Sequence, residues 1–241
     1  MSENAAIILQ ARMGSTRLPG KVLALVAGKS ILEHCVCRLR AHSGLPVILA
    51  TTTLSEDDVL VAAAERLGVP FVRGSEDDVL SRYVLAAATF DVKEVIRATA
   101  DNPAVDMDAP RRTLDLLERT GADYVVERGL PVGAAVEAVS AAALFLANAS
   151  TNDPYDREHV TPFIRRERQF FSLDGLAPGS LRGSNLRLSV DTAEDLAFMR
   201  QLMTQVAMSN GAPPSLERII AAAARMSRPE QASTSAEGQA R

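Results

Sequence analysis

The 241-residue chain has no tryptophan, only two cysteines and three histidines, and 4% aromatic residues. The cysteines, Cys35 and Cys37, lie two apart in a segment with helical periodicity. Side chains at that spacing do not face one another, which excludes a disulfide between them. One Cys-x-Cys and scattered histidines also make no metal-binding set. Excess positive charge is missing as well: 26 Lys and Arg against 30 Asp and Glu leave a net charge of −4. Bulk electrostatic capture of nucleic acid is therefore not expected. The longest wholly apolar run, residues 141–147, is far short of the roughly 20 residues that span a membrane. The apolar stretch at 5–9 follows Glu3 without a basic start, so it does not read as a secretory signal. A reducing cytoplasmic setting is the expectation.

What is present is enough to fold. The chain is 47% apolar and 23% charged, ordinary values for a globular protein. Strand-like runs at 5–10, 46–51, 69–72 and 94–99 alternate with helical patterns. One helix is marked by Ile31, Leu32, Cys35, Val36 and Leu39; others are marked by Val59, Leu60, Ala63 and Leu67, and by Val79, Leu80, Tyr83, Val84 and Ala87. Ser30 with Glu33 fits a capping box, and Ser55 with Asp58, Ser75 with Asp78 and Thr192 with Asp195 place an acid three residues after a hydroxyl. Strand–helix alternation implies parallel pairing with right-handed crossovers. The fold class expected is α/β: a three-layer, Rossmann-like, mostly parallel sheet over residues 1–125. Residues 126–185 are less regular, with a strand at 136–139, a helix from Ser140, a polar stretch at 151–157 and a strand at 170–173. A strand at 186–190 and helices at 193–208 and 215–226 follow. Residues 1–226 read as a single domain. Residues 227–241, without a large apolar side chain, read as a disordered tail. No internal repeat is visible.

The first strand runs into Gln10-Ala11-Arg12-Met13-Gly14-Ser15-Thr16-Arg17-Leu18-Pro19-Gly20-Lys21. A loop in this position opens at the carboxyl edge of a parallel sheet, where ligands bind. Glycines permit close backbone approach, and free N–H groups can cradle phosphate oxygens. Arg12, Arg17 and Lys21 suit a ligand with several negative charges, such as a triphosphate. The loop is not a Walker sequence: five residues separate Gly14 from Gly20, and Val22 follows Lys21. Gly28-Lys29-Ser30 has Leu23 where the first glycine belongs, and no G-x-G-x-x-G occurs. A P-loop ATPase and a nicotinamide dehydrogenase are both disfavoured.

The segment from Gln10 to Lys21 resembles the opening of the cytidylyltransferases related to the spore coat polysaccharide protein SpsF. These are similar to the CMP-Kdo and acylneuraminate cytidylyltransferases. Arg73-Gly74-Ser75-Glu76-Asp77-Asp78-Val79-Leu80-Ser81-Arg82-Tyr83 resembles a second block. Thr99-Ala100-Asp101-Asn102-Pro103 resembles a T-x-D-C-P block with Asn102 in place of cysteine. Arg157-Glu158-His159-Val160-Thr161-Pro162 and the segment from Ser189 to Leu196 resemble the C-terminal blocks. The resemblance covers roughly residues 5–225.

The resemblance implies a GT-A or nucleotidyltransferase variant of the α/β fold and an enzyme that uses CTP and Mg²⁺ to attach CMP to a sugar hydroxyl, releasing pyrophosphate. Arg12, Arg17 and Lys21, with the backbone of Gly14 and Ser15, would hold the triphosphate. Arg12, Lys21 and Asp101 would carry the chemistry, and Asp101 and Asp191 would ligate the metal through oxygen. Gln10 and Ala11 would approach the base, or be plain core. Arg73 and Arg82 would lie near the base or acceptor, or be surface charges of a helix. Glu137, His159 and Arg187 would lie toward the acceptor, with His159 at the start of a helix. Residues 140–175 would form an acceptor or dimer subregion of a homodimer acting in polysaccharide synthesis, with no nucleic-acid or membrane partner.

Two other readings stand beside this one. A GT-A glycosyltransferase would bind a nucleotide sugar through a D-x-D pair, and Asp106-Met107-Asp108 has that spelling. A non-catalytic nucleotide-binding protein would retain the fold alone.

Overall fold

Ala5–Gln10 is buried along both faces except at Gln10, which places it inside a sheet covered on both sides. In the computed structural model, which describes residues 4–182, 185–206 and 212–226, this segment is β1. A two-stranded ribbon follows, β2 (Leu25–Val26) and β3 (Lys29–Ser30), leading into α1 (Ile31–Ala41). The chain then alternates β4 (Val47–Thr52), α2 (Asp58–Arg66), β5 (Phe71–Gly74), α3 (Val79–Thr89) and β6 (Glu94–Thr99). Next come α4 (Ala109–Thr120), β7 (Tyr124–Arg128), β8 (Glu137–Ser140) and α5 (Ala141–Ser150). The short helices α6 (Pro154–His159) and α7 (Pro162–Arg166) precede β9 (Ser172–Leu176). Two helices close the described chain, α8 (Ala193–Gln205) and α9 (Leu216–Ala223).

Seven strands form one sheet in the order β5-β4-β1-β6-β8-β7-β9. β5, β4, β1 and β6 pair in parallel, β8 is antiparallel to both its neighbours, and β7 pairs with β9 in parallel. The expected three-layer, mostly parallel α/β architecture is present. Alternate residues of each strand enter opposite layers. Ile7, Leu9 and Leu49 pack with Leu32 and Leu39 of α1. Ile8 and Ile48 pack with Leu80 and Tyr83 of α3.

The predicted capping boxes at Ser30 and Thr192 both form. The other two helix starts shift. Ser55 opens a 3₁₀ turn, Ser55–Asp57, before α2, and α3 is capped by Asp78, whose carboxylate accepts from the Ser81 N–H. The strand expected at 136–139 is displaced by one residue as β8, and that at 170–173 begins at Ser172. β7 is an addition to the expected strands, and α4 starts directly after Asp108, with Pro110 in its first turn. The tail at 227–241 lies outside the described residues.

The strand expected at 186–190 does not form. This segment has loops for neighbours, so no ladder can extend along it. Its single bridge joins Arg187 to Val132. The Leu188 N–H donates to Val132 O at 2.7 Å, and the Val190 N–H donates to Asp101 O at 2.8 Å. Gly133 makes the approach possible. It sits at φ +88°, and a Cβ there would lie 2.4 Å from the Ser189 nitrogen. Both the backbone conformation and the crowding favour glycine. Gly133→Ala should therefore push the 186–191 segment away and lower Tm by at least about 2–4 °C, the shift that ~1 kcal/mol gives a chain of this size. Thermal unfolding with an unchanged Tm would contradict this.

Candidate active site

β1 and β6 run side by side to their carboxyl ends, with Gln10 opposite Thr99. Beyond them opens a cleft of about 390 Å³. The loop leaving β1 is closed on itself: Met13 O accepts from the Ser15 N–H at 2.8 Å and the Gly20 N–H at 3.0 Å. Gly20 takes a left-handed conformation, φ 70°, and leads into a 3₁₀ turn beginning at Lys21. That turn drives the Lys21 side chain inward, leaving the residue only 8% exposed.

Lys21 Nζ donates to Asp101 Oδ2 at 3.0 Å and to Asp191 Oδ1 at 2.8 Å. Asp101 follows β6 and is oriented by Thr99, whose hydroxyl donates to Asp101 Oδ1 at 2.7 Å. Asn102 Nδ2 donates in turn to Thr99 Oγ1 at 2.7 Å. Asp191 arrives from 90 residues further along the chain, delivered by the bond between Val190 and the Asp101 carbonyl. It also pairs with Arg17 at 3.1 Å and with Arg187. Asp195 Oδ2 accepts from its N–H at 3.1 Å, which ties it to the start of α8.

Gln10, Ala11, Arg12, Ser15, Arg17 and Lys21 line the cleft on the loop side. Arg82, Asp101, His159 and Asp191 line it from the other segments. Arg12 stands between Glu76 (3.5 Å) and Glu158 (3.9 Å). His159 ends α6 rather than beginning a helix, and its ring packs on Tyr155 at 4.4 Å between centroids. Four expected site residues lie outside the lining. A Cβ on Gly14 would face the carboxylates of Glu56 and Glu76. Arg187 stands behind Asp191, and Glu137 stands behind Arg97 at 2.7 Å. Arg73 is engaged elsewhere, with Nε donating to Thr52 O and Nη2 to Leu54 O, both at 2.8 Å.

Sequence reasoning missed Arg97, Thr99 and Glu158, all of which line the cleft. A usable signal existed for Arg97, the lone charge inside the apolar strand Val-Ile-Arg-Ala-Thr, on the same face as Thr99. Its Nε and two nitrogens of Arg82, Nε and Nη1, are buried without a hydrogen-bond partner. Buried guanidinium donors without partners are costly, and both arginines line the cleft. Burial lowers the Arg82 pKa from its usual value. The D-x-D pair is not at the cleft. Asp106 is bound to Arg112 at 2.6 Å and Asp108 to His42 at 2.8 Å.

Burial alone would raise the Asp191 pKa, but Lys21, Arg17 and Arg187 outweigh it and hold the carboxyl below its ordinary 3.8. Such a group adds stability above its unfolded-state pKa and loses it as pH falls through the folded-state value. Lys21→Met should raise the Asp191 pKa and move the acid limb of the stability curve to higher pH. Carbon NMR of the Asp191 carboxyl checks this, and an unchanged titration would contradict it.

A sequence profile of the cytidylyltransferase family matches residues 6–223. The chain is 34% identical over 202 residues to the spore coat polysaccharide biosynthesis protein SpsF of Bacillus subtilis, covering 81% of this chain and 84% of that protein. It is 30% identical over 174 residues to a 3-deoxy-manno-octulosonate cytidylyltransferase of Idiomarina loihiensis, covering 64% and 65%. Among solved structures, a cytidylyltransferase from Leptospira borgpetersenii superimposes with a TM-score of 0.83 at 29% identity, over 90% of this chain and 92% of that one. No helix among the described residues is long and apolar enough to cross a membrane. With a profile match over residues 6–223 and a superposition that covers 90% of it, the chain belongs to the cytidylyltransferase family and is a nucleotidyltransferase.

Proposed function

We propose that this protein transfers CMP from CTP to a hydroxyl of a sugar or sugar acid in the cytoplasm, for polysaccharide or glycoconjugate synthesis. The observation that carries the reading is the convergence of Lys21, Asp101 and Asp191 beside a loop bearing Arg12 and Arg17. The acceptor hydroxyl gives its proton to solvent as its oxygen bonds to the α-phosphorus, the bond to the β-phosphate breaks, and pyrophosphate leaves. Arg12, Arg17 and Lys21 bind the triphosphate and stabilise charge that develops on it. Gln10 and Ala11 border the space for the base. Arg82 and Arg97, which line the cleft, suit an acceptor that carries a carboxylate. His159 and Glu158 close the acceptor side, and Glu137 orients Arg97. Arg187 supports Asp191. Positioning of the two reactants supplies much of the rate.

The family implies a divalent cation, and the residues fit one. Asp101 and Asp191 offer hard oxygen ligands from separate segments on one ammonium, and Mg²⁺ commonly takes one or two carboxylates with water and phosphate completing its shell. Among the described residues no third acid, cysteine or histidine joins them, which leaves positions for the substrate. When bound, such an ion neutralises α-phosphate charge and favours in-line attack.

Residues 1–226 would act as one domain. Residues 140–175, where Phe145, Tyr155 and Phe171 stand exposed, would contact a second copy in a homodimer.

A panel of acidic sugars with CTP and Mg²⁺ should release pyrophosphate, and Asp101→Asn or Asp191→Asn should lower the rate by about 10²–10³. Unchanged turnover in both variants would remove the metal assignment. Asp108→Asn should leave turnover unchanged. A loss there, with consumption of a sugar nucleotide in place of CTP, would favour the glycosyltransferase reading.

A further inference from the structure

Behind the loop lies a carboxylate that never reaches the cleft. Asp57 has no solvent exposure and ends the 3₁₀ turn after β4. Among the described residues it forms no salt bridge; hydrogen bonds fill its two oxygens, and the Arg82 guanidinium interacts with it only through space. Oδ1 accepts from the Met13 N–H at 2.7 Å. Oδ2 accepts from the Thr51 hydroxyl at 3.1 Å, the Thr52 N–H at 3.2 Å and the Thr52 hydroxyl at 2.5 Å. A buried charge is tolerated only when its acceptor sites are filled, and here four donors fill them.

What Asp57 holds is the peptide on which the loop turns. Met13 offers its N–H to Asp57, while its carbonyl accepts from Ser15 and Gly20. Arg12 precedes that residue, and Lys21 follows Gly20. One residue therefore links both cations to Asp57: the Arg12–Met13 peptide donates to the carboxylate, and the Met13 carbonyl on the next peptide receives the Gly20 N–H just ahead of Lys21. The turn bearing Asp57 is itself clamped. Arg73, expected at the ligand, binds the carbonyls of Thr52 and Leu54 and pairs with Asp58 at 2.7 Å.

We propose that Asp57 is a positioning residue of the nucleotide site, fixing the Met13 peptide and through it Arg12 and Lys21. This rests on the CTP-binding reading above. The arrangement demands a carboxylate. Asparagine has one acceptor oxygen, and its NH₂ would confront either the Met13 N–H or the Thr52 N–H.

Two measurements on the full chain test the proposal: CTP affinity by calorimetry in Mg²⁺, and amide hydrogen exchange. In Asp57→Asn, the Met13, Ser15 and Gly20 amides should exchange at least tenfold faster while those of β1 and β4 keep their protection. The Kd for CTP should rise at least tenfold. Glu127→Gln, which removes a buried carboxylate from Arg112, should leave CTP affinity unchanged. A folded Asp57→Asn with wild-type affinity, or with a protected loop, overturns the proposal. An equal loss in Glu127→Gln does so too, because it would mark a general stability effect. If Asp57→Asn does not fold, Thr52→Ser should bind as wild type and Thr52→Val several-fold more weakly; equal affinities overturn the proposal. Wild-type protein that binds no CTP would refute the CTP reading, and the exchange of the loop amides would still decide the role of Asp57.

Discussion

A single buried ammonium organises this molecule's cleft. Lys21 sits between Asp101 and Asp191, two carboxylates whose like charges would otherwise push the segments carrying them apart. Asp101 extends from a central strand, whereas Asp191 belongs to a strip of chain docked on loops. The ammonium, together with the bond from Val190 to the Asp101 carbonyl, joins the parallel half of the sheet to the C-terminal segment. The same geometry brings two carboxylates from distant segments onto one ammonium at the cleft.

Around that contact the cleft is divided by charge. The loop side presents Arg12 and Arg17, each held against a carboxylate, Glu76 or Glu158 for Arg12 and Asp191 for Arg17. The deeper side presents Arg82 and Arg97, whose guanidinium groups retain unpartnered donors. Glu137 faces Arg97 across β6 and β8 and also accepts from the hydroxyls of Tyr124 and Thr161. Antiparallel β8, the exception in the sheet, is thus what supports an arginine at the floor of the cleft.

The parallel half of the fold was legible because its strands are buried on both faces and its helices carry strong starts. Ser30 with Glu33 and Thr192 with Asp195 mark their helices within a few residues, since a capping box is a local event. The 186–190 segment shows where that reasoning stops. Its residues have the composition of a strand, but strand identity depends on a partner, and Gly133 with Val132 supplies only a loop. The site was legible in part for a similar reason. The loop cations and both aspartates stand in contiguous motifs, whereas Arg97 and Asp57 act through neighbours distant in sequence. Arg73 was drawn toward the ligand by its motif, yet its guanidinium is occupied by the carbonyls of the turn after β4. A motif identifies a segment and does not say which way each side chain turns.

The most direct test is a crystal of the protein grown with CTP and Mn²⁺, with anomalous scattering used to locate the metal. The account predicts an anomalous peak held by Asp101 and Asp191, with the nucleotide triphosphate against residues 12–21. A nucleotide bound away from residues 12–21, or a metal held without either aspartate, would contradict it.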